Sequence, residues 1–393
     1  MQGSPRRILI TLLALGLGGI IALLLLEVGL RIYNPIPRTV RGRSITLPVN
    51  RSVIYTNPMK TSKVDRQVTV TRNRLGFRGP DPPDDLDAWL SVIAVGGSTT
   101  ECRFLSDDRT WPALVAARLD AVYDSVWLNN AGLDGHSTFG HMVLLEQIVL
   151  DLHPDYLLLL VGVNDVGRDD LSQFDLSIDP AAQSLRDRFI AASELLSTMQ
   201  VLYRSLHASR LGLEHLRELD LTTVPRIPVD ERAIAAAVRA HRTRFTEPYS
   251  KRLTRIVEMS RAAGSEPVLI TQPVLWGETV DPTTGIDLGP LAYSGTNGAT
   301  RWRVLEAYND VTRRIGAEHG VLVIDAARRM PKDSRLYYDW MHYSNEGAAE
   351  MAGIVASELI PWIERRSALK SPSGSGDRAD LAPRKEIVTD QDP

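Results

Sequence analysis

With 393 residues, 44% of them hydrophobic and 24% charged, the chain can bury a large core and is not a disordered protein. Its 45 basic and 48 acidic residues leave a formal net charge of -3, so there is no basic excess to neutralise a phosphate backbone, and nucleic acid is not expected as a partner. The single cysteine, Cys102, excludes an intramolecular disulfide and any multi-cysteine metal cluster; it reads as a small packed side chain on the first turns of a helix.

At the N-terminus, no charged residue occurs from Ile8 to Leu26, a run long enough to cross the hydrocarbon core of a bilayer as a helix. Arg6 and Arg7 precede it and no small-x-small cleavage site follows, so residues 1–32 are expected to form an uncleaved membrane anchor. Arg31, Arg38, Arg41 and Arg43 beyond its far end oppose a simple charge rule. The short leader still favours a cytoplasmic N-terminus, with the body of the chain extracytoplasmic. Residues 33–87 read as a connector containing a strand-like piece, Gln67–Thr71. Within it, Asn73–Gly79 is either a plain turn with a packed Phe77 or a device that sets Phe77 and Arg78 against the domain. The main domain is expected over 88–368, and the Ser-, Pro-, Gly- and charge-rich residues 369–393 as a disordered tail.

The domain opens on a β-branched run, Ser91–Val95, which two glycines break before Ser98-Thr99-Thr100-Glu101 begins a helix. Gly96 and Gly97 would let the chain turn sharply and lift the Ser98 hydroxyl above the sheet edge, with the Ser98 N–H at the positive end of the helix. The same four residues also fit a capping box, in which Ser98 merely caps the helix and Glu101 reaches back to it. Apolar runs recur at Ser125–Leu128, Tyr156–Val161, Val268–Thr271 and Val321–Ile324, separated by amphipathic stretches such as Thr138–Leu152 and Trp302–His319. That alternation predicts a parallel sheet covered by helices, which binds ligands at the carboxyl ends of its strands. The residues standing there are Gly97-Ser98, Asn129–Gly132, Gly162–Asp165, Gln272-Pro273 and Asp325.

Acyl transfer through a serine needs a base for its proton and fixed donors for the developing oxyanion. The backbone N–H groups of Ser98 and Gly132 and the carboxamide of Asn164 are candidate donors, although a plain turn at Gly132 and a helix cap or Asx turn at Asn164-Asp165 account for those residues equally. Asp339 and His342 lie three apart in a Tyr-rich loop before a final helix from about Ser344 to Arg366. The carboxylate can there fix the imidazole tautomer that leaves Nε2 free to accept the serine proton. The other seven histidines, His136 and His141 among them, are read as structural.

Taken in order, Gly-x-Ser after the first strand, a glycine after the second, Gly-x-Asn-Asp after the third and Asp-x-x-His before the last helix resemble the four sequence blocks of SGNH/GDSL hydrolases over roughly residues 91–366. The resemblance implies an α/β fold, a three-layer α/β/α sandwich around a mostly parallel five-stranded sheet of flavodoxin-like kind. It implies catalytic Ser98, Asp339 and His342, an oxyanion hole of Ser98, Gly132 and Asn164, and hydrolysis of O-acyl esters with no cofactor and no metal. One position departs from the family: Gly97 stands where its acid is common.

A helical insertion is expected over about 170–263, with helices at Ser184–Leu206 and Glu231–Ala263, the second broken near Pro248. Arg239, His241, Arg242 and Arg244 on it form either a solvated face or a site for an anionic or sugar substrate. Trp276 and Tyr293, in the polar loop after the fourth strand, are candidate platforms for a sugar or acyl chain. The function expected is ester hydrolysis through an acyl-enzyme, on a small-molecule ester or an acylated envelope glycan, by an enzyme held to the membrane by its N-terminal helix. An O-acyltransferase using the same triad is the alternative, and a non-catalytic envelope scaffold is the alternative from another class.

Overall fold

Five apolar runs become the five strands of one sheet: β1 (Leu90–Gly96), β2 (Val126–Asn130), β3 (Tyr156–Leu160), β4 (Glu266–Ile270) and β5 (Val323–Ile324). Every neighbouring pair is parallel, in the order β5-β4-β3-β1-β2. All of β1 is buried, as expected for a strand with neighbours on both sides and helices on both faces. Ala94 lies opposite Leu158 of β3 on one side and Asn130 of β2 on the other. The strand order therefore reverses beside β1, and in open α/β sheets the cleft at such a switch point is where ligands bind.

This is a computed structural model, and it describes residues 5–32, 40–41, 44–45, 47–59, 61–168, 190, 192–199, 202–203 and 218–370. The chain divides into two units, Met1–Thr46 with Leu176–Glu214, and Leu47–Asp175 with His215–Pro393. The tail from Ser371 and most of the helix expected over Ser184–Leu206 lie outside the described residues.

In the larger unit, helices cover the sheet. α1 (Ser98–Glu101) leaves β1, α2 (Trp111–Asp120) packs on β2, and α3 (Thr138–Leu144) continues through a π turn, Leu145–Val149, and a 3-10 turn ending at His153. α4 (Glu231–Arg244) and α5 (Thr246–Ala262) pack with α6 (Gly298–His319), and α7 (Asn345–Lys370) packs against α2. Alternate strand residues such as Leu90, Val92, Ala94, Leu158 and Ile270 share a core with Trp111, Val115, Leu119, Met351 and Val355, the period-2 pattern of one sheet face. The α4–α5 break falls at Phe245, and Pro248 sits in the first turn of α5, where a missing N–H costs nothing.

The second half of the sequence-predicted connector belongs to this unit. Arg51–Thr56 and Gln67–Arg72 pair as an antiparallel hairpin, and the following turn buries Phe77 completely. Arg78 is also buried: its guanidinium donates to Asp107 Oδ1 (2.7 Å) and to the carbonyls of Glu101 (2.6 Å), Cys102 (3.0 Å) and Leu105 (2.7 Å).

In the smaller unit, the N-terminal helix Pro5–Ile32 contains a stretch, Leu9–Ile32, of mean hydropathy 2.7 with none of it buried. That is long and apolar enough to cross a membrane. Near its end the Glu27 carboxylate accepts hydrogen bonds from Ser193 Oγ (2.8 Å) and the N–H groups of Glu194 and Leu195 (3.0 Å each).

Replacing Arg78 strands three carbonyls and a carboxylate at once. Arg78→Ala is expected to lower stability by about 3 kcal/mol or more, read as a fall in the denaturant midpoint at unchanged slope.

Candidate active site

β1 delivers Ser98 to the switch point through two glycines whose role is spatial. Gly97 caps α1 at φ −85°, an ordinary angle for any residue. A Cβ on Gly96 would lie 2.2 Å from Thr100 Oγ1, and one on Gly97 would lie 2.4 Å from Asn164 Nδ2. Close approach, rather than the conformational freedom expected from sequence, is what requires glycine here.

α1 is a single turn, Ser98–Glu101. Ser98 is its first residue, and its hydroxyl does not cap. Glu101 does not reach back either: its carboxylate binds Arg72 (2.6 Å) and accepts the Asp134 N–H (2.9 Å). The capping-box alternative is therefore not what the chain builds. Cys102, expected within this helix, instead ends it in the left-handed region at φ 51°, and burial pushes its thiol up to about 12.

The loop before α7 supplies the partners. Ser98 Oγ donates to His342 Nε2 at 2.8 Å, and His342 Nδ1 donates to Asp339 Oδ2 at 2.7 Å. Asp339 Oδ1 accepts the N–H groups of Met341 (2.9 Å) and His342 (2.8 Å), so the carboxylate is fixed by its own loop. Tyr338 lies parallel to the imidazole, with ring centroids 5.5 Å apart and an interplanar angle of 7°. His342 is buried while Ser98 stays partly exposed. Burial alone would lower the imidazole pKa, but the charge and hydrogen bond of Asp339 outweigh it and the net shift is upward.

Asn164 lies over Gly97 and donates one amide N–H to the His136 carbonyl at 3.0 Å, which leaves its second amide hydrogen. Its neighbour Asp165 is buried and holds the turn: it pairs with Arg252 of α5 (3.0 Å) and accepts from the Thr138 hydroxyl (2.5 Å). Gly132 is placed differently from expectation. Its N–H is donated to Asn130 Oδ1 at 2.9 Å, and the residue packs against the end of α1, so that donor is already used. Three residues on, Gly135 takes φ 72° and its N–H has no partner among the described residues. Sequence reading missed Gly135; the signal was a second glycine in the same loop, next to the residue whose carbonyl holds Asn164.

The aromatic residues after β4 are also placed otherwise. Trp276 is buried and offers no open face, whereas Tyr293 is half-buried between Trp276 (4.9 Å between centroids) and Trp340 (5.9 Å). On α4, His241 turns inward to the Tyr308 hydroxyl (3.1 Å), Arg242 pairs with Asp310 (3.7 Å) and Arg244 lies over Phe245. Among the described residues, no group of three or more His, Cys, Asp or Glu side chains is placed to hold a metal ion.

The family described as GDSL-like lipase/acylhydrolase matches residues 94–350, well over half of the chain. The chain belongs to that family. The matched span runs from the middle of β1 into α7 and so includes Ser98, Asn164, Asp339 and His342. Ester hydrolysis is the general chemistry of this GDSL-like hydrolase. Among solved structures it is similar to an acetylxylan esterase from Geobacillus stearothermophilus (17% identity, 68% of this chain and 93% of that one, TM-score 0.40). It is also similar to a G-D-S-L family protein from Desulfitobacterium hafniense DCB-2 (14%, 69% and 99%, TM-score 0.38), and to LAE5, an alpha/beta hydrolase from the metagenome of Lake Arreo, Spain (18%, 70% and 95%, TM-score 0.38). Comparison with curated proteins returns no match.

The acid common in the family at position 97 has no room here. Gly97→Ala already drives a methyl into the Asn164 amide, so ester turnover is expected to fall at least tenfold while circular dichroism stays native; full turnover would mean that Asn164 can move aside freely.

Proposed function

We propose that this GDSL-like hydrolase cleaves carboxylic O-acyl esters through an acyl-enzyme on Ser98. The observation that carries the reading is the unbroken hydrogen-bond chain from Ser98 Oγ through His342 to Asp339, at 2.8 and 2.7 Å. In the first step His342 Nε2 takes the Ser98 proton as Oγ attacks the ester carbonyl. The imidazolium formed is stabilised by Asp339 and then gives the proton to the leaving alcohol. Water repeats the sequence on the acyl-serine and releases the acid. The Ser98 N–H, the second amide hydrogen of Asn164 and the N–H of Gly135, in place of Gly132, serve the negative charge on the carbonyl oxygen. The larger unit, Leu47–Asp175 with His215–Pro393, is the hydrolase body. The N-terminal helix anchors it with the body outside the cytoplasm, where an acylated envelope glycan is the substrate within reach.

Two experiments on the full-length chain in detergent test this. An organophosphonate probe is expected to label Ser98, and Ser98→Ala to lose labelling and roughly 10⁶ of turnover on aryl esters; turnover surviving in that variant would sink the acyl-enzyme. Because His342 must be neutral to accept a proton and Asp339 raises its pKa, kcat/KM is expected to climb with pH through a midpoint above about 6.5. Asp339→Asn removes that charge, so the midpoint should move down and the rate fall by up to about 10⁴, as in the serine-protease case. A profile flat from pH 5 to 8 would leave the imidazole without a role as base.

A further inference from the structure

Four buried or half-buried arginines of the hydrolase body each meet a carboxylate. Arg78 meets Asp107 (2.7 Å), Arg252 meets Asp165 (3.0 Å), Arg72 meets Glu101 (2.6 Å), and Arg313 meets Asp325 (2.8 Å) and Glu306 (3.1 Å). Taking a guanidinium out of water is costly, and a carboxylate offsets the cost. Arg301 differs. It is half-buried, and its Nε is closed off from solvent with no hydrogen-bond partner. Its polar contact is a long one, from Nη2 to the Ser294 carbonyl at 3.4 Å, and no carboxylate of the described residues comes within 4.0 Å. It also stands in the first turn of α6, which carries no acidic residue, so the helix dipole disfavours a cation there as well.

Its aromatic neighbours lead toward the loop of the base. The guanidinium carbon lies 5.2 Å from the ring centroid of Tyr293, which packs on Trp340, between Asp339 and Met341 in the loop that carries His342. On its other side the charge of Arg301 bears on His241, whose pKa burial first and Arg301 second push down. His241 Nδ1 meets the Tyr308 hydroxyl at 3.1 Å, and that hydroxyl accepts the N–H of Gly167 at 2.9 Å, three residues past Asn164. Arg301 is thus linked through Tyr293 and Trp340 to the loop of the base, and through His241 and Tyr308 to the turn that follows Asn164. Trp276, packed on Tyr293, is buried with an Nε1–H that has no acceptor among the described residues.

We propose that Arg301 is a substrate-recognition residue that binds a carboxylate carried by the ester, so that the enzyme acts on anionic esters. The inference rests on the Ser98 hydrolase reading and names the substrate class for it. A planar guanidinium held beside an aromatic ring can present its two terminal nitrogens as a fork that a carboxylate fills with two parallel hydrogen bonds. The substrate then supplies the counter-charge that the described residues do not. Acidic sugar esters, with the anion on the alcohol side, and half-esters of dicarboxylic acids, with it on the acyl side, both carry this chemistry.

Matched pairs of esters decide the matter in the full-length chain: 4-acetoxybenzoate against 4-acetoxybenzamide for the alcohol side, and hemisuccinate against butyrate aryl esters for the acyl side. The wild-type enzyme is expected to prefer the anionic member of one pair by about 10–100-fold in kcat/KM, and the preference to shrink with added salt. Arg301→Gln should abolish the preference, and Arg301→Lys, which keeps the charge and loses the fork, should keep only part of it. An anionic-to-neutral ratio equal in wild type and Arg301→Gln for both pairs overturns the proposal. Binding to Ser98→Ala, measured by calorimetry, separates it from the hydrolase reading. Anionic esters bound at least tenfold tighter than neutral ones, by a protein whose wild type shows no turnover, would defeat the catalytic assignment and leave Arg301 standing; equal binding of both members would defeat Arg301 alone.

Discussion

A one-turn helix cannot hold itself in place. α1 has the hydrogen bonds from Thr100 and Glu101 to the Gly97 carbonyl and from Cys102 to that of Ser98, far short of what an isolated helix needs. Its position, and so that of the Ser98 hydroxyl, comes from outside. Arg78 grips the carbonyls just past its end, Arg72 and the Asp134 N–H take the carboxylate of Glu101, and Trp111 Nε1 donates to the Thr99 carbonyl (3.1 Å). Both arginines come from the segment that precedes the sheet. The polypeptide between helix and domain is therefore structural support for the serine as well as a link, and side chains held on several sides are what keep a reacting atom within the fraction of an ångström that catalysis requires.

The same economy runs through the charged groups. Asp165 next to Asn164 meets Arg252 and Thr138, and Arg252 also lies 4.0 Å from the ring of Phe139, so the turn carrying Asn164 is pinned to two helices. His342 stacks on Tyr338 and hydrogen-bonds Asp339, whose carboxylate is held by backbone N–H groups, while Asp134 and Glu101 add negative charge around the imidazole. Arg78, Arg252, Arg72 and Arg313 each meet a carboxylate, whereas Arg301 has none among the described residues, the difference on which the proposed role of Arg301 rests.

How much of this was legible follows from the range of each signal. Strands buried on both faces read as apolar runs, and a βα alternation orders them, so the sheet and the helices around it could be read in one dimension. Asp339 and His342 were legible because their spacing alone lets the carboxylate meet Nδ1. Gly132 and Gly135 stand in one loop, and only folding shows that the Asn130 side chain takes the first N–H and leaves the second. The left-handed residue at Cys102 is likewise set by the loop that Arg78 gathers, not by local preference. Arg301 carried no sequence signal at all. That no carboxylate of the described residues meets it shows only in the folded chain, and of the basic cluster on α4 only His241 feels its charge, Arg242 and Arg244 having Asp310 and Phe245 as partners.

The order in which the strands enter the sheet bears on how the protein is made. β2, β1 and β3 arise within the first 160 residues, whereas β4 and β5 add to the β3 edge only after the long insertion, and Ser98 and His342 are 244 positions apart. At ordinary synthesis rates the hundred or so residues between β3 and β4 take roughly 5–20 s to emerge, and for that interval the apolar edge of β3 has no neighbour. On the proposed mechanism, the emerging polypeptide carries the serine without its base until almost all of it has been delivered. A product terminated before β4 would lack His342 together with β4 and β5, and would leave β3 as an uncovered edge.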